Sequence, residues 1–228
     1  MLPNEKKLDN PVWFSLSETH KNFAIDSETI KFYHPDYCPF GGFVNSENTA
    51  NPISEYARET ESFYIIGQKL ILPNHLKLND ELICHQMIIY EKIVTVINDE
   101  IVKLDEKHLD DLLALVKIVY PEYFKKKTYT LGNYYGIYKD NQLVAVTGER
   151  MQMNDFTEVS AVITHPNHTG KGYAKQLVSH TVNAILNQGK TPFLHVSESN
   201  IGAIKLYEKL GFQTRKKISV WNIIKNVD

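Results

Sequence analysis

Cysteine is scarce, with Cys38 and Cys84 the only two in 228 residues. Two cysteines cannot build the disulfide framework that staples a small secreted domain, and they fit a reducing compartment. Long apolar runs are missing as well. None approaches the ~18 residues of a membrane span, and the opening Met1-Leu2-Pro3-Asn4-Glu5-Lys6-Lys7 holds no apolar signal core. A cytoplasmic location with no membrane partner is the expectation. There is no excess of one charge either: Lys and Arg number 25 against 27 Asp and Glu, a net charge of −2. Nucleic-acid binders usually carry a basic surplus, so no nucleic-acid partner is expected. What is present is ordinary globular material. Hydrophobic residues are 43% and charged residues 23%, enough to bury a sizeable core and to exclude wholesale disorder. The length allows one large domain or two small ones. Small-molecule chemistry is the default direction.

The chain divides into two parts, residues 1–97 and 98–228. The first is rich in aromatics and short apolar runs. A helix is predicted from Pro11 and a second over Pro52 to Thr60, with strands over Ser62 to Ile66 and Glu81 to Tyr90. Gly41-Gly42 and Pro73-Asn74 read as turns. No catalytic motif lies in this part. From about Asn98 the pattern is regular. Asp105 can cap a helix with an apolar stripe of Leu109, Leu112, Leu113, Val116 and Val119, which Pro121 would end or bend. Strands follow over Tyr134 to Tyr138, Leu143 to Met151 and Phe156 to Thr164. A helix opens near Gly170, a short buried strand covers Thr191 to Val196, and Asn200 caps a helix that stops at Gly211. A last strand runs from Lys216 to Ile224. Alternation of this kind gives an α/β or α+β class.

The chemistry concentrates where the strand ending at Thr164 turns into a helix through His165-Pro166-Asn167-His168-Thr169-Gly170-Lys171-Gly172. Glycine lets backbone approach a ligand closely, and first-turn N–H groups have no partner within the helix. With the helix dipole they favour a phosphate or pyrophosphate, and Lys171 could add a charge. The alternative is a bare strand–turn–helix connection. A Walker loop is absent, and Gly170-Lys171-Gly172 lacks the third glycine of a dinucleotide fingerprint. His165 and His168 lie three apart with no Cys or acidic cluster beside them, so no metal is expected. His195, on a buried strand, reads as a core histidine. Cys84 and His85 would point to opposite faces of their strand. Lys125-Lys126-Lys127 reads as a solvated turn.

The stretch from Thr164 to Gly172 resembles the main acyl-CoA-binding motif of the GNAT superfamily of N-acetyltransferases, a strand and Val-x-Pro followed by Arg/Gln-x-x-Gly-x-Gly/Ala. Downstream, Asn200-Ile201-Gly202-Ala203-Ile204-Lys205-Leu206-Tyr207-Glu208-Lys209-Leu210-Gly211-Phe212 resembles the family's Asn-x-x-Ala-x-x-Leu-Tyr-x-x-x-Gly-Phe. The two together, in order and with a strand between them, cover about residues 100–222 and point to a bacterial branch with an extra N-terminal half. One departure is Asn167, where the family has Arg or Gln, with the uncharged Thr169 just before Gly170.

The resemblance implies a GNAT fold with a splayed mixed central sheet, preceded by a smaller, degenerate GNAT-like α/β half. It implies acetyl-CoA as co-substrate and a small-molecule or peptide amine as acceptor, in a monomer or homodimer. Val162, Ile163 and Thr164 would meet the pantetheine. Asn167, Thr169, Gly170, Lys171, Gly172, Tyr173 and Ala174 would surround the pyrophosphate. Asn200 and Ala203 would flank the pantetheine arm. Tyr207 matches the family's general acid, although it shares a helix face with Ala203 and Leu210 and could be a core aromatic. Glu158 is the first choice of base and Glu149 the second. Either could instead be a structural carboxylate, paired with Arg150 for instance, and a water relay could replace both. Even spacing puts Glu158, Ser160, Val162 and Thr164 on one side of their strand. The rival reading is a module that binds or senses acyl-CoA without turnover. Residues 1–97 are expected to wall the acceptor site, with the loop around Tyr37 to Phe43 a candidate contributor.

Overall fold

A computed structural model describes residues 4–119 and 124–226. Its strands are β1 (Ala24–Asp26), β2 (Ile30–Tyr33), β3 (Phe40–Phe43), β4 (Ser62–Ile66), β5 (Leu76–Ile88), β6 (Val102–Leu104), β7 (Tyr134–Lys139), β8 (Gln142–Gln152), β9 (Phe156–Thr164), β10 (Thr191–Ser197) and β11 (Gln213–Lys225). The helices are α1 (Pro11–Ser17), α2 (Ala50–Glu59), α3 (Leu109–Val119), α4 (Tyr173–Asn187) and α5 (Ile201–Lys209). Pro11 stands at the first turn of α1, where its missing N–H costs nothing. Asp105 caps the turn leading into α3, accepting from the Lys107 N–H at 3.1 Å. Asp140 and Asn141 adopt positive φ in the tight β7–β8 hairpin. Leu177, Val178, Val182 and Ile185 of α4 are fully buried, the inner stripe that holds this helix on the sheet. Pro121, expected to end α3, lies outside the described residues.

All the strands join one mixed sheet in the order β1-β2-β3-β4-β11-β5-β10-β9-β8-β7-β6. Among the described residues, pairing is parallel only at β3–β4 and β9–β10. The strands do not sort by the 97/98 boundary. β5, from the first part, lies between β10 and β11. β11, the end of the second part, lies between β4 and β5 and pairs with β5 along nearly its whole length. The connection leaving β5 is tied down over α4, where the Ile93 N–H donates to Asn183 Oδ1 at 2.9 Å and the Asn98 N–H to Gln176 Oε1 at 2.7 Å.

Two sequence expectations need correction. Gly41-Gly42 is not a turn but the middle of β3. A Cβ on Gly41 would sit 2.5 Å from the Phe32 ring, so glycine is there for close packing. The even alternation along β9 also fails. Val146 pairs with Ile163 but Gly148 pairs with Ser160, which leaves an extra residue in β9. Ala161 takes it up with φ +49°. This bulge puts Ser160 and Ile163 on one face, and Val162 and Thr164 on the other.

Candidate active site

β9 and β10 pair only from Thr191–Phe156 to Phe193–Glu158. Beyond that point they part. β10 is held on its other edge by β5 and β9 by β8, so a V opens between Val159–Thr164 and Leu194–Ser197. The N–H and C=O groups along the inner edge of β9 have no strand opposite them.

At the mouth of the V, β9 runs into the glycine loop. Gly170 and Gly172 have φ of +77° and +79°, and a Cβ on either would meet nothing within 4 Å. The space in front of them is open. Gly172 is the N-cap of α4 and brings no side-chain cap, so the first-turn N–H groups face that space without helix partners. His165 Nδ1 accepts from the Asn167 N–H at 3.2 Å, and the Thr169 hydroxyl donates to the Pro166 carbonyl at 3.2 Å. These bonds shape the loop and leave the Asn167 side chain at the surface. Among the described residues, no group of three or more His, Cys, Asp or Glu has the spacing of a metal site.

A cavity of about 530 Å³ lies at the foot of the V. Val159–Ile163 and Ala174 form one wall, and Asn200, Ala203, Leu206 and Tyr207 of the α5 region form another. Asn200 is a cap, accepting from the Ala203 N–H at 3.1 Å. Tyr207 is largely buried and meets Phe212 edge-on at 5.8 Å. Val116 and Phe124 close a third side, while Phe40, Ile66, Leu82 and Cys84 reach in from the first 97 residues. Burial pushes the Cys84 thiol up to about 11, so it stays protonated near neutrality.

Glu158 and Arg150 sit at the apex. Arg150 Nε and Nη2 donate to the two Glu158 oxygens at 2.7 and 2.8 Å, a fork-to-fork pair, and the guanidinium lies 4.6 Å from the Phe40 ring centre. His195 Nδ1 is 2.8 Å from Glu158 Oε1. Gln86 Nε2 contacts the other His195 ring nitrogen at 3.0 Å and donates to the Leu8 carbonyl at 2.7 Å, while Gln86 Oε1 accepts from Arg215 Nη1 at 2.8 Å. Arg215 therefore fixes the amide so that its nitrogen faces His195. His195 must then accept at Nε2 and donate from Nδ1, the neutral Nδ1–H tautomer. Burial works against the Glu158 charge, but the Arg150 charge and hydrogen bonds, with His195, hold its carboxyl well below the usual range.

Glu149 is placed differently. It lies on the opposite face of β8 from Arg150, outside the cavity lining. Its Oε2 accepts from Asn133 N at 3.1 Å, Asn133 Nδ2 at 2.9 Å and Gln152 Nε2 at 3.2 Å, and burial raises its pKa. The structure thus gathers Val162, Ile163, Ala174, Asn200, Ala203, Tyr207 and Glu158 around one cavity and leaves Glu149 out. The pairing with Arg150 that was open to either carboxylate falls to Glu158, and His195 is a buried histidine bonded to it. Gln86 and Arg215 are additions that sequence reasoning missed; the available signal was a polar and a charged residue in or beside strands that otherwise read as buried. Lys127, expected as a solvated turn, pairs with Asp36 at 2.7 Å.

Residues 134–221 match the FR47-like protein family. No curated protein matches the chain significantly. A solved structure from Novosphingobium aromaticivorans DSM 12444, assigned to the acetyltransferases of the GNAT family, is 27% identical over 96% of this chain and 99% of its own, with TM-score 0.89. A GCN5-related N-acetyltransferase from Kribbella flavida matches in fold at 10% identity, covering 100% and 98% of the two chains with TM-score 0.64. A tandem GNAT protein from the clavulanic acid biosynthesis pathway does so at 10% identity, over 87% and 79%, with TM-score 0.56. With its parted central strands, its glycine loop and its second set of strands sharing the same sheet, the chain has the GNAT fold, arranged as two GNAT-like halves.

Proposed function

We propose that the protein transfers an acetyl group from acetyl-CoA to a primary amine, both bound at once. The observation that carries this reading is the continuity of three features: an unpaired strand edge, an open glycine loop at a helix start, and a cavity where the strands part. Bound acetyl-CoA would supply an activated thioester. The inner edge of β9 around Val162 to Thr164 suits pairing with the pantetheine amides, as an added strand pairs with a sheet edge. The N–H groups from Gly170 to Ala174, with Lys171 beside them, suit the pyrophosphate. Asn167 supplies hydrogen bonds there without charge.

Tyr207 is the residue in the cavity suited to hold a proton for the departing thiolate, because a phenol is protonated at neutral pH. Glu158 has its acceptor positions spent on Arg150 and His195, and Glu149 faces away. In this reading Glu158 acts as a positioning residue for Arg150 and His195, and the acceptor nitrogen reaches the cavity neutral or gives its proton to water. Phe40, Ile66, Leu82 and Cys84 exclude water on the acceptor side, which is the role proposed for residues 1–97 beside a catalytic part from 98 to 228. A purely acyl-CoA-sensing module is the second reading, favoured by the missing charge at Asn167.

Thiol release from acetyl-CoA across a panel of amines separates the two readings. Transfer predicts amine-dependent release that Tyr207→Phe lowers by roughly 10²–10⁴-fold, with acetyl-CoA affinity little changed. Binding without amine-dependent release would leave only the sensor.

A further inference from the structure

The cavity at the foot of the V is not closed at its far side. A second recess of about 340 Å³ opens across β4, β11 and the start of β5. The two share Leu82 and Val220, which pair across β5 and β11 and line both. Gln86, Cys84, Leu82 and Asp80 alternate along one face of β5. That face therefore runs from the level of His195, past an apolar stretch, to a polar end. From Cys84 to Asp80 it covers roughly 13 Å at about 3.3 Å per residue.

The polar end is unusual for a sheet face. The β5–β11 register slips between Asn222–Asp80 and Ile223–Leu78. The extra residue, Asn79, forms a bulge, and both Asn79 and Asp80 line the recess. Bulges of this kind re-aim side chains. Opposite them Asn222 also lines it. Asn222 is only 9% exposed as a residue, and its side-chain amide, which accepts and donates no protein hydrogen bond among the described residues, is open to the recess. Asp80 has no ion pair among the described residues, whereas Glu81 beside it on β5, Glu61 just before β4 and Glu198 just after β10 are each bonded to a side chain. Lys77, across from Ile224, stands one pair further out and does not line the recess. An amide open to the recess beside a carboxylate that makes no ion pair among the described residues suits a hydrogen-bond donor carrying positive charge.

We propose that the two recesses form one acceptor groove, and that the acceptor is an elongated diamine: its reacting nitrogen at the foot of the V, its apolar middle over Leu82 and Val220, and its second, cationic amine held by Asp80 and Asn222. This deepens the acetyl-transfer reading and rests on it for the role of the inner end. Such a groove would draw residues 1–97 into the acceptor site, since Asn79, Asp80 and Leu82 all belong to them.

The test is calorimetric binding of 1,8-diaminooctane and n-octylamine, equal in chain length, to the full chain. The diamine is expected to bind about 3–10-fold more tightly, the range for one charged hydrogen bond at a partly exposed site. Both Asp80→Asn and Asn222→Leu should shrink that preference toward one. Asp80→Asn is nearly isosteric and exposed, so it keeps the test valid if Asn222→Leu fails to fold. Equal affinity of the wild-type chain for the two amines, or a diamine preference untouched by Asp80→Asn, would overturn the proposal. A preference that behaves as expected with no acetyl transfer to the diamine would leave the groove standing and remove the transferase reading instead.

Discussion

Replacing Glu158 by Gln tests the apex network directly. The substitution keeps volume, and it keeps an oxygen that His195 Nδ1–H can still reach, so no cavity opens and one hydrogen bond survives. What disappears is the counter-charge of Arg150. The side chains of Arg150 and Glu158 are 18% and 1% exposed, so water cannot replace the lost partner. Removing one member of a buried pair costs about 3–5 kcal/mol. At about 2–4 °C per kcal/mol for a chain of this size, the melting temperature should fall by roughly 6–20 °C. Urea unfolding followed by tryptophan fluorescence measures the change, with Trp221 on β11 reporting on the sheet centre. Arg150→Met combined with Glu158→Gln should recover most of the loss, because an apolar replacement of both charges is often neutral or better. The effect also has a defined pH window. The folded pKa of Glu158 is depressed below its unfolded value. Its contribution is therefore complete above the unfolded carboxylate pKa of about 4.3 and is lost as pH falls below that toward the folded value. The gap between wild type and variant should be full at neutral pH and shrink under acid. A single variant within 1 kcal/mol of wild type at pH 7 would refute the claim that the pair is a buried, interdependent unit.

Three further outcomes are expected. Gly172 and Gly189 both have positive φ, +79° and +75°, and open space where a Cβ would go, so valine at either site carries similar backbone strain. Only Gly172→Val should abolish CoA binding by calorimetry, since Gly189 lies beyond the other end of α4. Asn167→Arg should tighten CoA binding about 10-fold or more through a charge-assisted hydrogen bond, and the gain should fade as salt is added. His20 is buried beside Tyr33, with its Nδ1 2.8 Å from the Tyr33 hydroxyl, and burial lowers its pKa from 6.5 to about 4. The unfolded chain then binds more protons between those values, so stability should fall by up to about 3 kcal/mol as pH drops from 6.5 to 4. His20→Gln should flatten that part of the stability profile.

The second half of the fold was legible because its signals are local. β9 spans Phe156–Thr164 as expected, Asn200 caps α5, and Gly211 adopts φ +98° after it. The strands that escaped notice, β1, β2, β3 and β6, are three or four residues long. Their residues are held by partners far away in sequence rather than by any period of their own. The bulge at Ala161 left no mark either, because it depends on how β8 and β9 align. At the site, glycine spacing and the α5 motif could be read directly. The fate of the carboxylates could not. Glu149 and Glu158 sit on similar strands, and only the pairing of β8 with β9 sends one toward Arg150 and the other toward Asn133.

The exchange of β5 and β11 ties these observations together. β10 borders the V on one side and needs a strand on the other. That strand is β5, from the first part of the chain, which brings Gln86 against His195. The amide of Gln86 is oriented in turn by Arg215, on β11. The tautomer of His195, and through it one of the hydrogen bonds on Glu158, is therefore set by residues on either side of the 97/98 boundary. Residues 98–228 alone would leave the Phe193–Ser197 edge of β10 unpaired and both long edges of β11 open, each a row of unsatisfied backbone groups. The first part lacks a glycine loop but supplies a strand, an amide clamp and one wall of the cavity. The two halves are a single site divided between two stretches of chain, and the mixed sheet is the means by which the division is closed.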